Sequence, residues 1–228
     1  MKLYKFLPQR YLNAFFENGS MRLGTIFDFN DIVKHTAARA DIGEGKHTIQ
    51  RKLEGKTVHL QEGVHEEIIS EVFRGNITIT GQGSVSSMRS CDDAFIYCTS
   101  NRYTDEIFKK WNDDDTEINA CFEIVNVQSF FKQVSNTIKF SAYPLYGDNV
   151  IYTPDPIPYD SYAAKLNPAM TKEKEKYSWQ RENRSIWSPR YPYSPLKPWV
   201  INVPNAREFC RPYAVLITEG KHRTIHFL

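Results

Sequence analysis

The stretch EKYSWQRENRSIW, residues 175–187, changes from a helical pattern to an extended one near Gln180. Its first half continues the charged run TKEKEKYSWQ (171–180), which predicts a helix, and its second half, ENRSIW (182–187), predicts a strand. If the backbone is extended from Gln180, the side chains of Gln180 and Glu182 point to the same face, because side chains alternate along a strand. An amide and a carboxylate side by side can hold the hydroxyl groups of a ligand.

The carboxylate of Glu182 suits one kind of chemistry. A carboxylate beside a developing positive charge stabilises that charge. This role fits cleavage at a sugar anomeric carbon, where the transition state is oxocarbenium-like. The alternative is a surface ion pair, because a helical Glu with Arg181 or Arg184 nearby usually forms one. We expect Arg184 to pair with a nearby carboxylate and fix the strand. Taken alone, the stretch favours the surface pair.

Length and composition indicate an ordinary globular protein. The chain has 228 residues, of which 41% are hydrophobic and 25% charged, and its formal net charge is +2. We therefore expect a single domain over residues 1–228 and no partner selected by bulk charge. The four cysteines lack metal-ligand spacing, so neither a metal site nor a disulfide framework is predicted. No apolar run reaches the roughly 18 residues of a membrane span, so we predict a cytoplasmic protein outside the membrane.

The apolar pattern predicts an α+β protein. Alternating or short apolar runs predict strands at 2–7, 20–31, 76–81, 93–100, 119–127, 137–143, 149–153, 182–187, 213–218 and 224–228. Apolar spacings of three and four, with capping signals, predict helices at 9–19, 65–75, 104–111, 129–134 and 171–180. Strands without regular βαβ repetition indicate antiparallel or mixed sheets with peripheral helices. The Gly-, Lys- and His-rich residues 31–64 are predicted to form a mobile loop or an insertion.

Several common functional motifs are absent. The chain has no GxxxxGK[ST] loop and no GxGxxG, HExxH or GxSxG motif. GEGKHT (43–48) lacks the spacing of a phosphate loop. NDDDTE (112–117) is better explained as a solvated loop than as a calcium site, which needs a turn glycine. YPYSPLKPW (191–199) is better explained as a rigid connection than as a polyproline segment that docks a partner.

Three separated segments together resemble a large, mostly uncharacterised bacterial family. LYKFLPQRYLNAFFENGSMRLGTIFDFND (3–31) has the strand–helix–strand layout of that family's opening, typically YKY and then FNDPF, although here no Pro follows. FIYCTSNRYTDEIFKKWNDDDTEINACFEI (95–124) is similar to its Cys-Phe-Ser, Met-Trp-x-His-Tyr and Glu-Phe block, without the His. KEKYSWQRENRSIW (174–187) is similar to its Lys…Trp-x-x-Glu-x-Glu-x-Arg element, with Gln180 in place of the first Glu.

That family is similar in layout to the ADP-ribosyltransferase superfamily. The resemblance implies two roughly orthogonal antiparallel or mixed β-sheets with NAD in the cleft between them. It implies a glycosyltransferase that moves ADP-ribose from NAD to a macromolecular acceptor, either nucleic acid (RNA or DNA) or protein. Glu182 would be the catalytic glutamate, and Gln180 would orient the acceptor. The nicotinamide would stack on an aromatic side chain such as Tyr97 or Trp179.

The resemblance also implies residues that hold NAD. Tyr4 or Arg10 would fill the first-strand position and hold ribose or pyrophosphate oxygens, and arginine suits bidentate contact with phosphate. Tyr97, Thr99 or Ser100 would fill the middle-strand position. Ser100 would hydrogen-bond the ribose or position the catalytic glutamate.

The biological role has several expected forms. Bacterial relatives of the superfamily commonly serve as toxins of toxin–antitoxin or phage-defence systems, which makes an antitoxin protein an expected partner. Basic residues within 46–56 and at Arg181, Arg184 and Arg190 could meet nucleic acid or be ordinary surface charge. Two alternatives stay open: a catalytically silent nucleotide-binding or interaction module on the same scaffold, and an NAD glycohydrolase in which water replaces the acceptor.

Overall fold

A computed structural model of the protein describes residues 1–30, 36, 41–55, 57–60, 77–191, 195–220 and 222–228. These residues combine helices with mostly antiparallel strands, which confirms the α+β class. They divide into two compact units. Unit 1 comprises Met1–Glu44, Asp93–Val150 and Tyr177–Leu228, and unit 2 comprises Gly45–Asp92 and Ile151–Lys176. The expectation of a single domain over 1–228 stays a prediction.

Unit 1 contains a nine-stranded sheet. Its strands are β1 (Leu3–Leu7), β2 (Ser20–Thr25), β7 (Phe95–Ser100), β8 (Ala120–Ile124), β9 (Ala142–Asn149), β13 (Glu182–Pro189), β14 (Trp199–Asn202), β15 (Cys210–Glu219) and β16 (His222–Phe227). Their order is β14-β2-β7-β1-β8-β15-β16, and β13 pairs with both β7 and β9. Strand β7 is the branch point of the sheet. It pairs with β13 along its whole length, and it pairs with β2 at Phe95 and with β1 at Ser100.

Three helices of unit 1 accompany this sheet within the described chain. They are α1 (Gln9–Asn18), α2 (Asp105–Asp114) and α3 (Val127–Ile138). The predicted end signals are present. Gly19 ends α1 with a φ of 78°, and the Thr104 hydroxyl accepts a hydrogen bond from the Ile107 N–H at the start of α2.

The main hydrophobic core lies against one face of the sheet. Leu3 of β1 and Phe122 of β8 point into it, together with Trp187 of β13. Phe15 of α1 stacks on Phe122 with ring centroids 4.8 Å apart, and Phe130 of α3 is also buried there. Because side chains alternate along each strand, the neighbouring residues of these strands face the other side of the sheet. That second face carries the candidate site.

The strand predicted at residues 137–143 is wrong. Helix α3 continues through Ile138, and β9 begins only at Ala142. Phe130, Val134 and Ile138 recur every four residues and are all buried in the main core. This apolar stripe anchors the helix on the sheet and overrides the local preference for a strand.

Unit 2 is formed by short strands. They are β3 (Lys46–Lys52), β4 (Val58–Leu60), β5 (Ile77–Ile79), β6 (Ser84–Ser90), β10 (Ile151–Thr153), β11 (Ile157–Pro158) and β12 (Thr171–Glu173). Strand β3 pairs antiparallel with β6 and parallel with β11, and β10 pairs parallel with β12. Strands β3 and β4 fall inside residues 31–64, which were predicted to form a mobile loop or an insertion, so these parts of the segment have regular structure.

The charged run at 171–180 is less helical than predicted. It begins with strand β12, forms one helical turn at Lys174–Tyr177 and ends in a 3-10 turn at Ser178–Gln180. The helix predicted at 65–75 lies outside the described residues. Among the helices that are described, each is too short or too polar to cross a lipid bilayer.

Candidate functional site

Strand β13 begins at Glu182, because the backbone leaves the preceding 3-10 turn and becomes extended only after Arg181. Gln180 ends the 3-10 turn, and Arg181 adopts a left-handed conformation with φ 49° and ψ 45°. The extended run therefore starts two residues later than the predicted alternation requires. Gln180 is buried but lies outside the strand, so the expectation that strand alternation places Gln180 and Glu182 on one face is wrong.

Strand register places three of the predicted residues in one row. Tyr4 of β1 lies opposite Ser100 of β7, and Ser100 lies opposite Glu182 of β13. Residues directly opposite each other on neighbouring strands share a face of the sheet. Neighbouring strands are about 4.8 Å apart, so Tyr4 and Glu182 are separated by roughly 10 Å of sheet. The tertiary structure thus brings together residues that are far apart in sequence.

The row continues beyond Tyr4. Glu123 of β8 lies opposite Tyr4, and Arg211 of β15 lies opposite Glu123. Five neighbouring strands therefore each contribute one polar side chain to a single line across this face. The line runs Arg211, Glu123, Tyr4, Ser100 and Glu182, and we call it the polar row.

Two candidates for the middle-strand position face the other side of the sheet. Tyr97 is buried in the main core, where its ring packs against Phe130 and Phe131. Thr99 lies two residues further along β7 and so on the same face as Tyr97, and its hydroxyl donates to the Asn183 carbonyl. Of the three predicted residues Tyr97, Thr99 and Ser100, only Ser100 shares a face with Glu182.

Arg10 lies away from the polar row. It belongs to α1, and its guanidinium donates to both carboxylate oxygens of Glu117, over 2.9 and 2.7 Å. This side chain is exposed and already holds a carboxylate bidentately. Of the two candidates for the first-strand position, the register therefore selects Tyr4.

Glu182 belongs to a buried group of charges. The Arg184 Nε donates to Glu182 Oε1 over 2.8 Å. The two terminal nitrogens of Arg184 donate to the two carboxylate oxygens of Glu44 over 2.5 and 2.8 Å. Arg184, Glu44 and Glu182 are each at most 5% exposed. The expected pairing of Arg184 with a carboxylate is confirmed, and the guanidinium is shared by two acids.

The electrostatics of this group follow from its burial. Burial disfavours a charged guanidinium, but the adjacent carboxylates of Glu182 and Glu44 outweigh it and hold the pKa of Arg184 well above its usual value. Cys98 of β7 lies opposite Arg184 in the strand register. Burial and the negative charge of Glu182 raise the pKa of Cys98, so this thiol stays protonated.

The Ser100 hydroxyl bonds two backbone carbonyls close to Glu182. Its oxygen lies 2.8 Å from the carbonyl oxygens of both Gln180 and Arg102. The Asn101 N–H also donates to the Arg181 carbonyl over 2.8 Å. These bonds fasten the end of β7 to the start of β13. Ser100 therefore holds the backbone just before Glu182 in place.

The other end of the polar row holds a second buried carboxylate. The Tyr4 hydroxyl donates to Glu123 over 3.2 Å, and Lys2 and Arg211 form ion pairs with the same group. Burial alone would raise the pKa of Glu123, but its bonds to Lys2 and Arg211 outweigh burial and lower the pKa. Burial, with Glu123 alongside, raises the pKa of Tyr4 to about 12, so the phenol stays neutral and donates.

Aromatic side chains flank the polar row. Tyr103 packs against Tyr4 with ring centroids 5.7 Å apart. Trp179, just before the site, packs against Trp111 of α2 with centroids 4.9 Å apart and carries the Lys110 ammonium over its ring. Trp179 is half-buried beside the start of β13, and its stacking on nicotinamide stays a prediction.

Sequence reasoning missed three of these residues. Glu44 lies in GEGKHT, which lacks the spacing of a phosphate loop, Glu123 lies in the buried strand β8, and Arg211 lies near the start of β15. A charge inside a buried strand is a usable signal, because such a residue needs a partner. Its partner is set by strand pairing, which the sequence does not show.

No group of three or more His, Cys, Asp or Glu in the described part of the chain is arranged to hold a metal ion. Comparison of the chain with protein-family models, with curated proteins and with solved structures found no match in any of the three.

Proposed function

We propose that this protein transfers ADP-ribose from NAD to a macromolecular acceptor, with Glu182 as the catalytic carboxylate. The observation that carries the proposal is the placement of Tyr4, Ser100 and Glu182 side by side on three neighbouring strands of one sheet. The resemblance of three sequence segments to the ADP-ribosyltransferase layout names residues at these positions. The finer fold relationship, with two orthogonal sheets around an NAD cleft, is part of the proposal.

In the proposed reaction the glycosidic bond between the ribose C1′ and nicotinamide breaks. Its electron pair leaves with nicotinamide, and positive charge develops on the ribose. Glu182 stabilises that charge electrostatically. A nucleophilic oxygen or nitrogen of the acceptor then bonds to C1′ and loses its proton to solvent. Arg184 orients the carboxylate through Nε, and Ser100 fixes the backbone before it.

The acceptor classes in this proposal are nucleic acid and protein. A role as a toxin in a toxin–antitoxin or phage-defence system, an antitoxin partner and a cytoplasmic location belong to the same proposal. Gln180 ends the turn beside Glu182, where it would orient the acceptor. If water takes the place of the acceptor, the same site acts as an NAD glycohydrolase.

One observation favours a second function, a catalytically silent nucleotide-binding module. Glu182 is only 5% exposed and is held by Arg184. A buried carboxylate with this set of partners also serves a purely structural purpose, because it neutralises a buried guanidinium. In this alternative the protein binds NAD or a related nucleotide without turning it over.

The test uses NAD labelled in the adenylate part, incubated with purified protein and cell lysate. We expect label on a macromolecule in the wild type and a loss of about 10²–10³-fold in rate for Glu182→Gln, which keeps the shape but removes the charge. Glu117→Gln, an exposed acid paired with Arg10, is the matched control and should keep full activity.

Separate digestion identifies the acceptor. Label removed by nuclease and not by protease assigns a nucleic acid, and the reverse assigns a protein. Free nicotinamide without label transfer assigns hydrolysis. Full activity in folded Glu182→Gln contradicts the catalytic assignment, and nucleotide binding without any turnover by the wild type supports the silent module instead.

A further inference from the structure

The phosphate groups of NAD need a cationic partner that the predicted residues do not supply. Arg10 is bound to both oxygens of Glu117 on a different element, and the Tyr4 hydroxyl is engaged with Glu123. Two other cations stand at the end of the polar row. They are Lys2, just before β1, and Arg211 of β15.

Both cations are anchored by the same buried acid. Lys2 Nζ lies 2.8 Å from Glu123 Oε1, and Arg211 Nε donates to Glu123 Oε2. The Glu123 side chain is fully buried, whereas the side chains of Lys2 and Arg211 are 54% and 57% exposed. The buried carboxylate of Glu123 therefore anchors both side chains and leaves much of each accessible to solvent.

The group formed by Lys2, Arg211 and Glu123 carries a net positive charge, and Arg211 has hydrogen-bond donors beyond the one that Glu123 accepts. One carboxylate faces two cations, so the group carries a net charge of about +1. Arg211 uses Nε for Glu123, which leaves its two terminal amino groups available, and arginine presents these donors in a fork that matches phosphate oxygens. Within the described chain, Glu123 is the acid that pairs with either cation.

Aromatic rings pack around Tyr4, the neighbour of Glu123 in the polar row. A β-bulge between Pro212 and Ala214 interrupts β15, and the intervening Tyr213 packs against Tyr4 with ring centroids 5.3 Å apart. Phe227 packs against Tyr213 and is still 60% exposed. Bulges re-aim side chains, and a flat, partly exposed ring near this end of the polar row suits the base of a nucleotide.

We propose that Lys2 and Arg211 form a phosphate-binding pair for a nucleotide diphosphate, held in place by Glu123. This inference rests on the proposed function, because it assigns the pair to the pyrophosphate of NAD, at the opposite end of the polar row from Glu182. The shared chemistry is a phosphate group, which a nucleic-acid backbone also carries.

The test measures binding of three probes by calorimetry: ADP, adenosine and a short single-stranded oligonucleotide. We expect Arg211→Leu and Lys2→Met each to weaken ADP binding about tenfold or more, because a charge-assisted hydrogen bond is lost, and to leave adenosine binding unchanged. Arg10→Leu, an arginine outside the polar row, is the control and should bind ADP like the wild type.

Arg211→Lys is the control for misfolding, because lysine keeps the positive charge next to Glu123. It should retain part of the ADP affinity and the melting temperature of the wild type. Unchanged ADP affinity in both Arg211→Leu and Lys2→Met overturns the proposal, as does equal weakening of ADP and adenosine. Oligonucleotide binding that depends on Arg211, without ADP binding, overturns the assignment to the dinucleotide.

The outcome is independent of catalysis. ADP binding that depends on Arg211, combined with no turnover of NAD, contradicts the proposed transferase and leaves the phosphate pair standing. NAD turnover that depends on Glu182, combined with ADP binding that does not change in the Lys2 and Arg211 variants, supports the transferase and contradicts the phosphate-binding pair.

Discussion

Arg184 is the residue on which the candidate site depends most. Its guanidinium lies between two acids and donates to both carboxylate oxygens of each, although its second bond to Glu182 is long at 3.4 Å, and all three residues are buried. Separating such a group from water has a large desolvation cost, which the mutual attraction offsets only while every partner is present. The orientation of the Glu182 carboxylate is therefore tied to Arg184, and through it to Glu44.

Replacement of Arg184 should destabilise the protein strongly. Arg184→Leu leaves two buried carboxylates without the cation between them, and we expect the free energy of unfolding to fall by about 3–5 kcal/mol. The measurement is urea unfolding at neutral pH. Arg10→Leu is the matched control, because its pair with Glu117 is exposed and should contribute less than about 1 kcal/mol. Similar losses in the two variants would contradict a central role for Arg184.

At the scale of elements, the turn before β13 decides where Glu182 points. Arg181 is one of two non-glycine residues with positive φ in the described chain. This conformation costs an ordinary L-residue roughly 1–2 kcal/mol, because Cβ approaches the neighbouring carbonyl oxygen. Hydrogen bonds from Ser100 and Asn101 hold the turn despite this cost.

Glycine at position 181 should relieve the strain. We expect Arg181→Gly to raise the free energy of unfolding by about 0.5–1 kcal/mol, since glycine adopts positive φ without the Cβ contact. Arg181→Val should lower it, because a β-branched residue tolerates this backbone least. Arg102→Gly, an exposed arginine with ordinary φ, should give no gain in the same urea titration. A gain for Arg102→Gly equal to that of Arg181→Gly would show that strain is not the cause.

At the scale of the whole molecule, unit 2 contains a buried histidine. His47 of β3 has its Nδ1 3.1 Å from the Thr171 hydroxyl, which itself donates to the Pro168 carbonyl. The hydroxyl hydrogen is thus used, and Nδ1–H is the donor to Thr171. The Nε2 atom is buried and has no partner among the described residues. Burial, with Arg89 adding its charge, lowers the pKa of His47.

Unit 2 should therefore lose stability as the solution becomes acidic. The lowered pKa means that the unfolded chain binds a proton more readily, so the stability is complete above the ordinary histidine pKa of about 6.5 and declines as the pH falls below it. We expect His47→Asn to flatten this pH dependence between pH 7 and 5 in unfolding titrations. His222→Asn, at an exposed position of β16, should leave it unchanged. A wild-type stability that is constant over this range would contradict the assignment.

Local sequence patterns correctly predicted many of the helices and strands. The apolar spacing in α1, the Gly19 stop and the Thr104 cap all reflect interactions within a few residues, so the sequence shows them directly. Strand β3 was missed because its pattern is polar on one side and its support comes from β6 and β11. Helix α3 was cut short because burial of Ile138 against distant residues is what extends it.

The sequence by itself determined the α+β class, the ends of several helices and the choice of Glu182 as a candidate site residue. These follow from composition, local periodicity and a short motif. Only the tertiary structure decided that Tyr4, Ser100 and Glu182 form a row, that Tyr97 and Thr99 face away, and that Arg184 is shared with Glu44. The physical reason is strand pairing. The register joins segments about 100 residues apart, and a shift of one residue would turn every side chain to the other face.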